Sequence, residues 1–133
     1  MTRSVLVLEL NELCPPLLDR FIEAGDLPAF ERLRSESAVH VTEAGEPQDH
    51  LNPWIQWVTA HTGLEFAEHG VFRMGDMYYS EHEQIWERLE RAGLKVGALA
   101  PFNATNRVRA PLFFMPDPWM RTPFAGPAPL RWL

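Results

Sequence analysis

Cysteine is nearly missing from this chain. Cys14 stands alone, which excludes an intramolecular disulfide and any zinc site built from several cysteines. Basic residues are also in deficit, with 12 Lys and Arg against 18 Asp and Glu, a formal charge of −6. That balance argues against nucleic acid or an anionic membrane as partner, since either calls for clustered Lys and Arg. An anionic small substrate stays open, because one metal ion reverses the field around it. Long apolar runs are lacking too. The run Val5-Leu6-Val7-Leu8 is cut by Glu9, too short for a signal peptide or a membrane span, so a soluble, cytoplasmic protein is expected.

What remains fits one domain. The chain has 133 residues, 46% of them hydrophobic, an ordinary content for a globular core. Residues Ser4 to Leu10 form an apolar run of the kind expected of a strand buried on both faces. Pro15 and Pro16 suit a first helical turn, and Leu17, Leu18, Phe21 and Ile22 follow at helical spacing up to the stop at Gly25. A second helix is expected from Leu27 to about Arg34, with Leu27, Phe30 and Leu33 on one stripe. Ala38 to Thr42 reads as a short strand, and Glu43 to Leu51 as a polar loop.

Asn52-Pro53 is a helix-start signal, Asn as cap and Pro at the first position. That helix would pass through Trp54, Ile55, Trp57 and Val58 to about Thr62 and end at Gly63. Gln84 to Ala92 makes another amphipathic helix with Ile85, Trp86 and Leu89 inward, closed by Gly93. Leu94 to Ala100 then reads as a second buried strand. Helix, glycine and buried strand form the return half of a βαβ unit, which predicts a largely parallel sheet. Six of the 12 prolines lie between Pro111 and Pro129, and no regular period survives them. Phe113 and Phe114 would add at most a short edge strand, with an extended tail beyond.

Three stretches, in this order, resemble the alkaline-phosphatase superfamily. Val5 to Leu18, with Asn11-Glu12 after the first strand, is similar to the opening of type I phosphodiesterases, nucleotide pyrophosphatases and sulfatases. Asn52 to Gly63, followed by Leu64 to Val71 with its His69-Gly70, resembles the helix carrying the family's nucleophile and the landmarks after it. Ile85 to Gly97 resembles the helix and strand that come next, and Leu27-Pro-Ala-Phe-Glu-Arg-Leu33 fits the family's second helix. The resemblance covers roughly residues 4 to 103. It implies an α/β fold with a mainly parallel sheet flanked by helices, alkaline-phosphatase-like and incomplete. On that basis residues 1–115 form a partial domain and 116–133 a Pro-rich extended tail.

The activity implied is metal-dependent hydrolysis of phosphate or sulfate esters, with Zn²⁺, Ca²⁺ or Mg²⁺ as cofactor. Asn11 matches the family's first acidic metal ligand, and Glu12 would serve if the backbone were displaced by one residue. The alternative for Asn11 is a turn between strand and helix, and for Glu12 a solvated loop side chain. The nucleophile position falls at Pro53, with Asn52 and Trp54 beside it, and none of these bears a hydroxyl or thiol. Asn52 would stabilise a bound oxyanion or ligate a metal, or simply cap the helix. Thr59 and Thr62 carry hydroxyls but sit well inside the helix, where packing is the competing role. His69 is a landmark position, His61 stands eight residues before it, a spacing that permits a shared metal without implying one, and His40, His50 and His82 are expected to be exposed. Trp54 and Trp57 are read as core, and the acidic stretch from Glu81 to Glu90 as a solvated helix face.

The family's further metal ligands lie downstream, whereas the stretch after Pro101 has Asp117 but no histidine. The expectation is therefore the N-terminal part of an ester hydrolase, inactive alone. The alternative is a non-catalytic α/β module for protein–protein association. Its partner would be a second copy or a completing chain, reached through an unpaired sheet edge or a tail bearing Trp119 and Trp132.

Overall fold

The computed structural model describes residues 4–127. It contains two compact units, Met1–Gly45 and Glu46–Leu133, and each is described by itself.

In the first unit, α1 spans Pro15–Glu23 with prolines in its first turn. The Asp26 N–H closes it by donating to the Phe21 carbonyl at 2.9 Å, and Gly25, at φ 79°, supplies the left-handed turn. α2 runs Pro28–Glu36, again with proline at the start. An ion pair between Arg34 and Asp19 ties the two helices. Neither helix contains a buried residue. The expected strands at 4–10 and 38–42 do not form. Both segments are irregular, and Val5, Leu6, Val7 and Leu8 are 70–91% exposed. A strand exists by virtue of its ladder partner, and among the described residues the only sheet is made elsewhere.

The second unit holds the core. α3 spans Pro53–Thr62, where Gly63 in the left-handed region gives its N–H to the Thr59 carbonyl. α4 is one turn, Phe66–His69, and α5 spans Ile85–Arg91. Both short helices begin with a capping box, Glu65 with Glu68 and Gln84 with Glu87, which satisfies amide groups that no helical carbonyl reaches. β1 (Gly97–Leu99) and β2 (Phe113–Met115) pair in parallel, Gly97 opposite Phe113. A Cβ on Gly97 would lie 2.6 Å from the Phe113 ring, so the glycine lets that ring cross the strand. The fold is α/β and the strand pair is parallel, but a mainly parallel sheet flanked by helices reduces here to two three-residue strands. The expected buried strand at 94–100 is correspondingly short, with Leu94 and Leu99 exposed.

Trp86, Val96, Ala104, Val108 and Phe114 form one buried cluster, and Val58, Val71, Met77 and Met120 another. The Val, Met and Phe side chains among them each contribute about 1.5–3 kcal/mol by leaving water.

The two compact units divide at Gly45–Glu46, while the sequence suggested a boundary at residue 115. Over its described part, the Pro-rich stretch packs rather than trails. Asp117, Met120 and Thr122 are buried, and Ala125 bridges to Phe114. Proline forbids regular helix but not burial, and side-chain hydrogen bonds fix the path here. Trp132 lies outside the described residues.

Candidate functional site

Asn11 and Glu12 form a turn ahead of α1, and both side chains are exposed. Glu12 holds φ 58°, a left-handed position in which the chain reverses. This is the turn that sequence reading offered as the alternative to a ligand pair. One amide and one carboxylate do not close the shell of a divalent cation, which needs four or more donors. Among the described residues, no group of three His, Cys, Asp or Glu side chains is disposed to hold a metal. By themselves Asn11 and Glu12 would supply two donors and leave the rest of an ion's shell to water.

Asn52 occupies the cap position of α3 but makes no side-chain cap. Its Nδ2 instead donates backward to the Asp49 carbonyl at 3.1 Å. A recess of about 330 Å³ opens at this helix end, lined by Asn52, Trp54, Phe72, Arg73 and Met74. Trp54 Nε1–H donates to the Phe72 carbonyl at 3.0 Å, fixing the indole in the wall. The recess suits an apolar group and presents a cation at its rim, Arg73. None of its lining residues bears a hydroxyl, thiol, carboxylate or imidazole, so nothing in it serves as nucleophile or general base.

The two hydroxyls on α3 are engaged in the fold. Thr62 Oγ1 donates to the Val58 carbonyl at 2.7 Å and accepts the Leu64 N–H at 3.2 Å. Thr59 Oγ1 lies 3.1 Å from His69 Nε2, a pairing that superficially resembles a nucleophile with its base. The other ring nitrogen decides otherwise. His69 Nδ1 accepts the Val71 N–H at 3.0 Å, so the neutral ring carries its proton on Nε2 and donates it to Thr59. A donating imidazole cannot take the threonine's proton. Burial holds the His69 pKa below its ordinary value, with His82 adding to the effect and Glu46 and Glu68 opposing it. His61 is buried between the rings of Trp57 and Trp86 at 5.8 and 4.8 Å. His40 is exposed as expected, but His50 and His82 are partly buried, His50 against the Phe66 ring at 4.1 Å.

Sequence reading missed a buried amide–carboxylate clip. Asn103, fully buried at φ 47°, donates from Nδ2 to the Trp54 carbonyl at 2.6 Å and accepts the Gly75 N–H at 2.9 Å. Its own N–H goes to Asp117 Oδ2 at 3.0 Å, while Asp117 Oδ1 accepts the Trp119 N–H at 2.8 Å. This joins the start of α3, the 73–75 turn and the Pro-rich stretch. No spacing signal marks the pair, since Thr105, Asn106, Arg107 and Arg109 lie between Asn103 and Asp117 along with Pro and Phe. A parallel clip runs from Gln84 through both backbone groups of Thr105, whose hydroxyl meets that of Thr122 at 3.3 Å.

The charged face beside α5 encloses about 460 Å³ lined by Glu83, Glu87, Glu90, Arg91, Arg107 and Arg109. Its charges answer one another: Arg91 and Arg88 pair with Glu83, and Glu90 accepts the backbone N–H groups of Arg109 and Ala110. Glu83, Glu87 and Glu90 are only partly exposed and are engaged in these pairs and caps, so the stretch is not the freely solvated face that the sequence suggested. Among the described residues, no helix is long and apolar enough to cross a membrane. Comparison with known proteins gives no match to a family model, to a curated protein or to a solved structure.

Proposed function

We propose that this chain is a cytoplasmic, non-catalytic α/β module that works by associating with another protein strand. One observation carries this reading: the aliphatic run Val5 to Leu8 is 70–91% exposed. An unpaired aliphatic segment without proline is a template for strand addition. In this reading residues 4–10 become a strand of a larger, mainly parallel sheet on binding, and the partner strand comes from a second copy or a completing chain. The engagement of Thr59 and Thr62 in the fold supports a role other than ester cleavage. Light scattering should find species larger than the monomer as concentration rises, and Leu6→Asp should return them to monomer. A monodisperse monomer at every concentration, with no partner in a strand-addition screen, would end this reading.

A second reading keeps the ester hydrolase, with Asn11 and Glu12 as metal ligands and Asn52 at the oxyanion. The observation favouring it is that α3 spans Pro53–Thr62 and is capped by Gly63, where the likeness to phosphodiesterases and sulfatases puts the nucleophile helix. Calorimetric titration with Ca²⁺, Mg²⁺ and Zn²⁺, beside a chromogenic phosphodiester assay, separates the two. Metal affinity lost in Asn11→Ala, or turnover by the chain itself, would favour the hydrolase.

A further inference from the structure

The recess at the start of α3 has one wall made by a single stretch, Phe72 to Met74. That stretch is held from both sides. Downstream, the Arg73 carbonyl faces Asn103 Nδ2 at 3.4 Å, and Gly75 N–H meets Asn103 Oδ1 at 2.9 Å. Upstream, the Val71 N–H meets His69 Nδ1 at 3.0 Å, and Val71 itself sits in the buried cluster with Val58, Met77 and Met120. The upstream hold differs in kind, because it requires a ring nitrogen without a proton.

We propose that His69 is an acid-sensitive latch on this recess: neutral, it anchors Val71 and fixes the wall, and protonated, it releases the loop bearing Phe72, Arg73 and Met74. The balance is simple. One proton from solvent adds to Nδ1, the Val71 N–H loses its acceptor, and two N–H groups then point at each other inside a buried site. Nε2–H keeps Thr59 as acceptor, so the ring stays tethered to α3 while the loop is let go. The charged groups facing the ring are Glu68 on its own helix, Glu46 on the preceding loop and His82 ahead of α5. The two carboxylates ease protonation, whereas burial and His82 resist it. Trp54 reports the outcome, since its indole N–H is bonded to the Phe72 carbonyl.

The latch is tested by nuclear magnetic resonance on the full chain. At neutral pH the ring nitrogens of His69 should show the Nε2–H tautomer. As pH falls from about 7.5 to about 4.5, the protection of the Val71 amide should drop roughly tenfold, the worth of one hydrogen bond. The Trp54 indole resonance should move with the same midpoint as the His69 ring. His69→Asn is the informative variant. Asparagine can accept the N–H two residues onward in a side-chain turn but does not titrate, so it should hold Val71 and flatten both profiles. An Nδ1–H tautomer at neutral pH would overturn the proposal. So would a Trp54 midpoint that follows His50 or His82 instead, or a His69→Asn profile matching the unaltered protein. The ring and indole readings come from the unaltered chain, and they decide the matter even if the variant fails to fold.

Discussion

Helices of similar length occur in both units, yet among the described residues only the second unit has buried side chains. α1 and α2 bury no residue, while α3 alone buries Ile55, Val58, His61 and Thr62. The difference is not in helix-forming signals, since α1, α2 and α3 all start at proline. It lies in what each apolar face meets. Periodicity specifies which side of a helix is apolar, and only a packed neighbour turns that side into stability.

The sharpest way to break the comparison is a matched pair of phenylalanines. Phe114 is fully buried in the cluster around Trp86, and Phe114→Ala should cost about 3–5 kcal/mol, the usual range for emptying a core aromatic site. All 5 tryptophans lie beyond Gly45, so fluorescence-detected urea unfolding follows the second unit selectively. Phe114→Ala with an unchanged midpoint would show that the cluster is not what holds that unit.

Next in size is the clip. Asn103→Ala strips acceptor and donor from the Gly75 N–H and the Trp54 carbonyl, both part of a buried network. The expected loss is about 1–3 kcal/mol by the same fluorescence measurement, because the groups left behind lose their partners away from water. Its left-handed backbone adds to the loss, since asparagine tolerates φ 47° better than alanine does.

Phe21 in α1 is the counterpart of Phe114 and is 45% exposed. Phe21→Ala should cost no more than about 1 kcal/mol, since much of the ring already faces water and no closed cavity is left. Helical circular dichroism during unfolding checks it. A loss as large as that of Phe114→Ala would reveal a core in the first unit and erase the contrast.

The two units also differ in how far they could be read in advance. α1, α2, α3 and α5 fall within a residue or two of the expected spans, because proline starts, glycine stops and 3.6-residue spacing are local signals. Strands at 4–10 and 38–42 were not legible as they stand, because β structure is a property of pairs and a single run does not name its partner. β2 was visible only as two phenylalanines, and it is β2, downstream, that pairs with β1. At the candidate site, Pro53 and Gly63 located the helix, and Asn11-Glu12 located a turn. The roles of Thr59 and His69 depend on a proton position set by the Val71 amide, which no spacing rule encodes. Asn103 and Asp117 escaped notice for a related reason: their value lies in burial, and the prolines around Asp117 suggested the opposite.

The smallest predicted effect concerns acid stability. Glu90 accepts the N–H groups of Arg109 and Ala110 at 3.0 and 2.8 Å, and these bonds hold its carboxyl below the ordinary carboxylate pKa. A carboxylate whose folded pKa is depressed adds stability that is complete above its unfolded value, about 4.3. That stability fades as pH falls through the lower, folded value. His69 behaves in the same sense from a higher starting point, since its depressed pKa makes its share complete above about 6.5 and lost as pH drops through the folded value. Stability of the second unit plotted against pH should therefore begin to fall below about 6.5, through His69, and fall further below about 4.3, through Glu90. Glu90→Gln should shrink only the lower step, and His69→Asn only the upper. If Glu90→Gln leaves the lower step unchanged, the hold on Arg109 and Ala110 is geometric alone and the carboxylate's charge contributes nothing to it.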